Sequence, residues 1–574
     1  MLQDTFEPLD DYVNKYRDQF KKVAENTFKS LVAEAGIDIQ ANRATCTQLY
    51  KSESELEDVA SGYALWVFFC VLLWVSFAAG IASFFLIENI TNEMILWISG
   101  GMVAVLVLLL ALVHPKIKRL KERRSEIESE VRKLKEKAWS QMQPLNNLYD
   151  WDLLARMITR TIPEIKFDPY FNAKRLSDLK STYGWSDTFN AKRSVVYSHS
   201  GTIKGNPFVL CRTKRREMST KTYYGHKTIY WTTREVGSDG KYHTVSHSQT
   251  LTASYTAPFP VYYEDSRLIY ANVAAPDLKF HRKQNDLAGR ENSLAFKWQK
   301  RKLKRKARDL ADNDFAMLTN EVFEVAFNTS NRNNNQQFSL LFTPLAQESM
   351  LNLLRDERVG YGDDFDFIKD GKINTIIPDH LQGMDLEMNP MRYKHFDYDK
   401  AAQSFVALNL QYFRAIYFSF APLLCVPMYT QIRPQHDIYG RDMMSESTFW
   451  EHEALANFWG KDKFKHPSCV TDCLLKTECV KKGESSVIKV YAHGYRTETR
   501  VANISVFGGD GHFHNVPVYW DEYIPVTGIG AISMKEVPNP DDEKYTAKQR
   551  ISHIDKVLDA YGMKVYRRHI ASKV

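Results

Sequence analysis

Very little in this sequence announces a chemistry. Seven cysteines, an odd number, are scattered without a regular framework, which argues against a disulfide-stapled secreted fold. The 574 residues contain no GxxxxGK[ST] phosphate loop, no HExxH and no GxSxG elbow. TGIGA, 527–531, is a glycine-rich fragment without a strand-to-helix setting, and WEHEALAN, 450–457, lacks the second histidine of a zinc helix. The charge balance is also unremarkable. A net charge of +7 over this length is weak support for nucleic-acid binding, which calls for a clearly basic face. What is plentiful is aromatic: 30 Tyr, 32 Phe and 11 Trp suit the pleated, half-buried surfaces of a β-rich or interface-rich protein.

Two stretches lack charge altogether. Residues 63–87 and 94–113 are uninterrupted apolar runs, each longer than the roughly 18 residues that span a bilayer as a helix. Two buried core helices are the bland alternative, and such long uncharged runs are rare in soluble cores. About 60 polar residues precede the first run, which excludes a signal peptide. Trp66, Trp97 and Tyr63 fit an interfacial aromatic belt, and Gly80, Gly100 and Gly101 suit close helix approach. The connection ENITNE, 88–93, has no Lys or Arg, whereas Lys116 to Arg124 holds six. Positive charge is retained inside, so the expected topology has the loop outside and both termini, with the bulk of the chain, on the cytoplasmic side of the cell membrane. The acidic KSESELEDV before the first run dissents only mildly. Asn89-Ile90-Thr91 matches a glycosylation sequon but sits too close to the membrane to be used.

Beyond the second span the helical pattern continues. Ile117, Leu120, Ile127, Val131, Leu134 and Ala138 fall on a and d positions, with Arg124 breaking the seam, a coiled-coil-like stalk over about 115–143. Leu9, Tyr12, Tyr16, Phe20 and Val23 repeat the spacing in a helix expected from Leu9 to Ala35. The two segments are expected to pair antiparallel within one chain; self-association through the stalk is the alternative.

From about residue 145 strand signals dominate. KRSVVYSHSGTIKGNPFVLCRTKRREM leads to HKTIYWTTREV and YHTVSHSQTLTASYTA around GSDGK, a hairpin signal. DFDFIKDGKINTII and ISVFGGDGHFHNVPVYW read as two more hairpins, and 321–344 as strand broken by a polar tip. FTPLAQESMLNLLRD opens a helix at Thr-Pro, and a last helix is expected over 547–561. The stretch 404–429 is long enough to span, but Asn409, Gln411, Arg414, Pro422 and Pro427 interrupt it. It reads as a core helix leading into an apolar strand, with a third span as the runner-up. Strands and helices come in runs, so the fold class is α+β. The segments are 1–62, 63–113 (the membrane hairpin), 114–145 (the stalk), 146–390 and 391–574.

The two-span anchor together with IPEIKFDP (162–169), GTIKGNPFVL (201–210) and FEVAFNTSNRNNNQQFSLLFTPLAQESMLNLL (323–354) resembles an uncharacterised bacterial family of membrane-hairpin proteins that carry a domain of unknown function. The likeness covers about residues 60–380. The long hairpin at 219–256 and the chain after about 390 depart from it. The resemblance implies an anchored cytoplasmic architecture and brings no activity and no functional residues.

Candidate chemistry is sparse. His466, Cys469, Cys473 and Cys479 form Hx2Cx3Cx5C, without the two close pairs of a structural zinc site. His512 and His514 alternate on one strand face beside Asp510, with Asp521 and Glu522 beyond and His493 as a third ligand, an arrangement that suits a divalent metal. Surface histidines on a hairpin read the same way, as do His226, His243 and His247. The strongest charge signal is KWQKRKLKRKARD, with eight basic residues from Lys297 to Arg308. A solvated helix is the plain reading. Contact of Lys300, Arg301, Lys302, Lys304, Arg305 and Lys306 with lipid or another anionic partner is the sharper one. The sequence points to a membrane-anchored scaffold or binding protein with a protein partner. The alternative is a tethered metal-dependent hydrolase using the GGDGHFH hairpin. No cofactor is required by the first reading, and a divalent metal belongs to the second.

Overall fold

The computed structural model describes residues 7–86, 92–236, 238, 240–308, 315–434, 446–483, 485–536, 563–567 and 569–573. The helix expected over 547–561 and the sequon at Asn89 lie outside these residues. The chain is α+β, with two long apolar helices toward its N-terminus and a large β-rich region after them. It divides into two compact units: Glu25–Tyr149 with Pro390–Ala407, and Met1–Ala24 with Asp150–Asn389 and Leu408–Val574.

The first unit is helical. Among the described residues two helices are long and apolar enough to cross a membrane, within Ile39–Ser83 and Ile95–Asn146, and 0% and 6% of their most apolar windows are buried. That near-total exposure sets aside the core-helix alternative, because apolar surface on this scale marks a covering partner or a membrane. A Cβ on Gly80 would lie 2.8 Å from Met102 Cγ, so Gly80 permits the close approach expected of it. Gly100 and Gly101 meet nothing within 4 Å. The helix His114–Asn146 continues the second run without a break in helical backbone. Its partner is the polar first part of Ile39–Leu86, which it meets antiparallel. Gln141 Nε2 donates to Thr45 Oγ1 at 3.2 Å and Arg123 Nη2 to Glu55 Oε1 at 2.7 Å. Arg124, which breaks the apolar seam, lies over the Tyr63 ring and pairs with Glu128.

The expected pairing of the stalk with residues 9–35 is therefore corrected. In the second unit the aromatic stripe of the N-terminal helix packs on the helix Tyr398–Leu424. The Phe20 and Phe413 rings stack 4.1 Å apart, Tyr12 lies against Phe413, Tyr417 and Phe418, and the Tyr417 hydroxyl donates to Pro8 O. Heptad spacing identifies an apolar stripe but not its partner, and two stripes of bulky aromatics match each other better than either matches a stalk. The 404–429 stretch is correspondingly a core element. Phe413, Tyr417, Phe420 and Leu423 are buried, and Arg414 donates to the carbonyls of Val359 and Gly360 at 2.8 Å. Its second half is helical, not strand: Pro427–Gln431 starts a new helix with Pro at its first turn.

A second correction concerns 321–344, which forms the helices Glu321–Phe327 and Asn335–Leu341. Within the polar stretch 329–337 read as a strand-breaking tip, Asn334 is a helix N-cap, and Asn320 and Asn328 before it bound the first helix. Asn320 and Asn334 side chains accept from Phe323 N and Gln337 N, and Asn328 closes the first helix at φ 50, as asparagine does at both kinds of terminus.

Among the described residues the β-rich part has two antiparallel sheets. In the first, β1 (Ile165–Phe167), β2 (Arg193–Ile203), β3 (Asn206–Val236), β4 (Tyr242–Ala271), β5 (Lys279–Arg282), β6 (Phe365–Asp370) and β7 (Ile373–Pro378) run in the order β1-β2-β3-β4-β7-β6-β5. In the second, β8 (Leu474–Lys481), β9 (Ser486–Phe507), β10 (Phe513–Glu536), β11 (Met563–Tyr566) and β12 (His569–Lys573) run β11-β12-β10-β9-β8. All three expected hairpins form, at β3–β4, β6–β7 and β9–β10. The helix Phe449–Trp459 shares one core with both sheets, where Trp450, Ala454 and Leu455 meet Val195, Val209, Ile488, Val490 and Ile532.

Two of the hairpins outrun their sheets. β3 loses β2 after Arg215, and β4 pairs with β7 only over Leu268–Ala271, yet β3 and β4 stay paired to Val236 and Tyr242. Residues 216–236 thus continue, paired only with β4, for about 70 Å at roughly 3.3 Å per residue. The β9–β10 ribbon lies on this β3–β4 ribbon, and Ile229, Leu251, Ala253, Val516 and Val518 form a buried cluster between them. At Gly225 an added Cβ would sit 2.1 Å from Pro517 O, so only glycine permits this approach.

Candidate functional site

The double ribbon determines what the GGDGHFH hairpin is. Gly508 and Gly509 face the other ribbon: a Cβ on Gly508 would meet Ile229 Cδ1 at 2.7 Å, one on Gly509 would meet Gln249 Oε1 at 2.9 Å, and Gly509 N donates to Gln249 Oε1. The glycines therefore let one turn seat on another strand. Asp510 accepts from His512 N and faces His514 Nε2 at 2.8 Å, closing the turn on itself. His512 is exposed. His493 pairs with Thr527, whereas His514 pairs with Val506. Thr527 lies thirteen positions along the strand from His514, about 43 Å, so the expected third ligand is far away. Glu522 bonds Arg500 across the ribbon, and Asp521 pairs with Thr499. His226 contacts Thr252, and His247 stacks on Trp231 and contacts Thr233. Among the described residues no group of three or more His, Cys, Asp or Glu side chains is placed to hold a metal ion.

The cysteine loop precedes β8 as irregular chain. Cys469 and Cys473 meet, Sγ to Sγ 3.7 Å, against Gly494, where a Cβ would fall 2.4 Å from Cys469 Sγ. Cys479 points to Lys481 O on the strand, and His466 turns to Ser468. Burial pushes the Cys473 thiol up to about 12, so it is a packing cysteine at neutral pH.

The helix Leu294–Arg308 carries the basic run. Its inner face buries Phe296 and Leu303. Lys300 and Lys304 both bridge to Glu321, at 2.5 and 2.6 Å, and Lys306 donates to Ser330 O. Arg301, Lys302 and Arg305 are on the exposed side, with Lys302 over the Trp298 ring.

One cluster escaped the sequence reading. Glu451 is fully buried. It accepts from Phe171 N at 2.8 Å and from Arg567 Nη1 at 3.1 Å, and Arg567 also donates to Ser198 O. Nearby, the Tyr566 hydroxyl donates to Glu387 at 3.3 Å. Glu451 and Arg567 stand 116 positions apart, joined by no motif; only the weak cue of a Glu in the apolar stretch FWEHEALANFW hints at them. A cavity of about 30 Å³ is lined by Tyr197, His199, Glu387, Tyr566 and Arg567 among apolar neighbours. That volume is room for one or two waters and is too small for a substrate. A wider cleft of about 280 Å³, lined by Glu7, Asp10, Ser349, Asn352, Arg355 and Asp356, is open to solvent.

Burial, reinforced by Asp385, raises the Glu387 carboxyl to about 7. The folded state thus binds this proton more tightly than the unfolded chain does. Its stabilising contribution is full below about 4.5 and is lost as pH rises through about 7. Glu387→Gln imitates the neutral form, so the variant gains on the parent between pH 5 and pH 8, by up to roughly 3 kcal/mol. Melting temperatures at the two pH values read this out; a difference that does not change with pH refutes it.

Comparison with protein-family models, with curated proteins and with solved structures gives no match to this chain.

Proposed function

We propose that this chain is a membrane-anchored binding protein of the cell membrane, without enzymatic activity, whose cytoplasmic β-rich region presents the double ribbon to a protein partner. The membrane part of the reading is supported by the two apolar helices with uncovered faces. The six basic residues from 116 to 124, set against a connection without Lys or Arg, favour the loop-out, termini-in orientation by the positive-inside rule.

The ribbon is the observation that carries the binding reading. It stands clear of both sheets and exposes Tyr224, Tyr230, Phe507, Phe513 and Tyr519, the kind of rigid aromatic surface that dominates interface energetics. A ribbon locked to a second ribbon by buried side chains loses little freedom when it binds, which favours affinity.

Site-specific photocrosslinking in cells tests it. A photoreactive residue at Tyr230 or Phe513 is expected to give one discrete adduct, and the same residue at exposed Glu357 none. An adduct of twice the chain mass identifies the partner as a second copy. Absence of any adduct from both ribbon positions, with membrane recovery unchanged, sinks the reading.

A further inference from the structure

The basic helix Leu294–Arg308 has two faces of different chemistry. Phe296, Leu303 and the stems of Lys300 and Lys304 belong to the inner one, where the lysines are neutralised by Glu321. On the outer face, Leu294, Lys297, Trp298, Arg301, Lys302, Arg305 and Arg308 are exposed. Positions 294, 298, 301, 302 and 305 follow one another along a single stripe at helical spacing. Leu294 is 85% exposed and Trp298 64%, values that are costly for two large apolar side chains unless something covers them. The helix contains no acidic residue.

We infer that this outer face docks on an anionic lipid surface. Charge and apolar content select that occupant together. A leucine and a tryptophan at one end are of the kind that settle at the headgroup boundary. Basic side chains near an anionic leaflet contribute about 1 kcal/mol each, and their stems stretch to keep the charge in water while the helix lies flat. A nucleic-acid surface calls for a stacking platform or a groove-reading helix, and a single tryptophan with Lys302 beside its ring supplies neither. The set of contact residues differs from the Lys300–Lys306 run that the sequence suggests. Lys300, Lys304 and Lys306 are engaged within the protein, while Lys297 and Arg308 join Arg301, Lys302 and Arg305 on the outer side. The inference rests on the chain being membrane-anchored and is independent of the ribbon.

The test uses the full chain with an environment-sensitive fluorescent amino acid in place of Leu294, in nanodiscs whose lipids carry brominated acyl chains as quenchers. Discs of phosphatidylcholine alone are compared with discs in which roughly a third of the lipid is phosphatidylglycerol. The expected result is at least about twofold quenching in the anionic discs only, relieved by Arg301→Gln/Lys302→Gln/Arg305→Gln and by about 0.5 M salt, because such contacts are screened. Equal emission in both discs, or quenching that survives the triple substitution, overturns it. A response to added duplex DNA in neutral discs, without one to anionic lipid, overturns it in favour of nucleic acid. A chain that fails to enter discs at all refutes membrane anchoring instead, which separates the two failures.

Discussion

Replacing Glu451 with Ala is expected to unfold the unit that contains it, or to lower its stability by about 3–5 kcal/mol. Glu451 is the buried counter-charge of Arg567, whose guanidinium is itself nearly without exposure. It also satisfies the Phe171 amide at 2.8 Å. Truncation therefore leaves an uncompensated cation and an orphaned donor in a medium that stabilises neither. The contrast with the surface is the useful control. Arg500 pairs with Glu498 and Glu522 on the ribbon, but all three side chains are a third or more exposed, and Arg500→Gln is expected to cost under about 1 kcal/mol. Urea unfolding of the detergent-solubilised chain, followed by proteolysis, measures both. A double change, Glu451→Leu with Arg567→Met, is expected to recover most of the loss, since what hurts is the charge left alone. If Glu451→Ala unfolds within about 0.5 kcal/mol of the parent, the pair is not holding this core.

Gly225→Val is expected to separate the two ribbons while leaving the sheets intact. The new Cβ would fall 2.1 Å from Pro517 O and 2.9 Å from its carbonyl carbon. Both are backbone atoms within a paired strand, so nothing flexible can yield and the whole ribbon must move. Separation exposes Ile229, Leu251, Val516 and Val518, each worth about 1.5–3 kcal/mol when buried. Amide exchange reads the outcome. Residues 225–232 and 504–518 should exchange at least about 100-fold faster, corresponding to roughly 3 kcal/mol of lost local stability. Val209 and Leu268, inside the seven-stranded sheet, should not change. Unaltered exchange on the ribbon means that its two layers do not depend on this contact.

Local pattern in the sequence accounts for a definite part of this protein. Twenty-odd uncharged residues in a row can form only one kind of element cheaply, so both apolar helices are legible from composition alone. The three hairpins are likewise written in Asp-Gly and Gly-Asp turns, whose positive-φ glycines at 240, 371 and 511 leave few other conformations open. The helix from Leu9 to Ala35 and the stalk follow from their spacing. These are features whose energetics close within a few turns of chain.

Partner choice does not close locally. The spacing of Tyr12, Tyr16 and Phe20 says that a stripe must be covered; Phe413 and Tyr417, about 400 residues later, do the covering. The polar stretch 329–337 looks like a loop between strands until Phe323, Phe327, Phe338 and Phe342 gather around Phe280 and Phe367, a cluster that rewards helix over strand. The His512–His514 pattern resembles a metal site in one dimension, yet register sets His493 far along the ribbon, and the glycines beside it serve ribbon-to-ribbon packing. The Glu451–Arg567 pair has no sequence signature, because the desolvation that makes it costly to break exists only once Phe171, Ser198 and the C-terminal β11–β12 hairpin have assembled around it. Which residues can be buried is a property of the sequence; which charges are left facing one another when they are buried is decided by the fold.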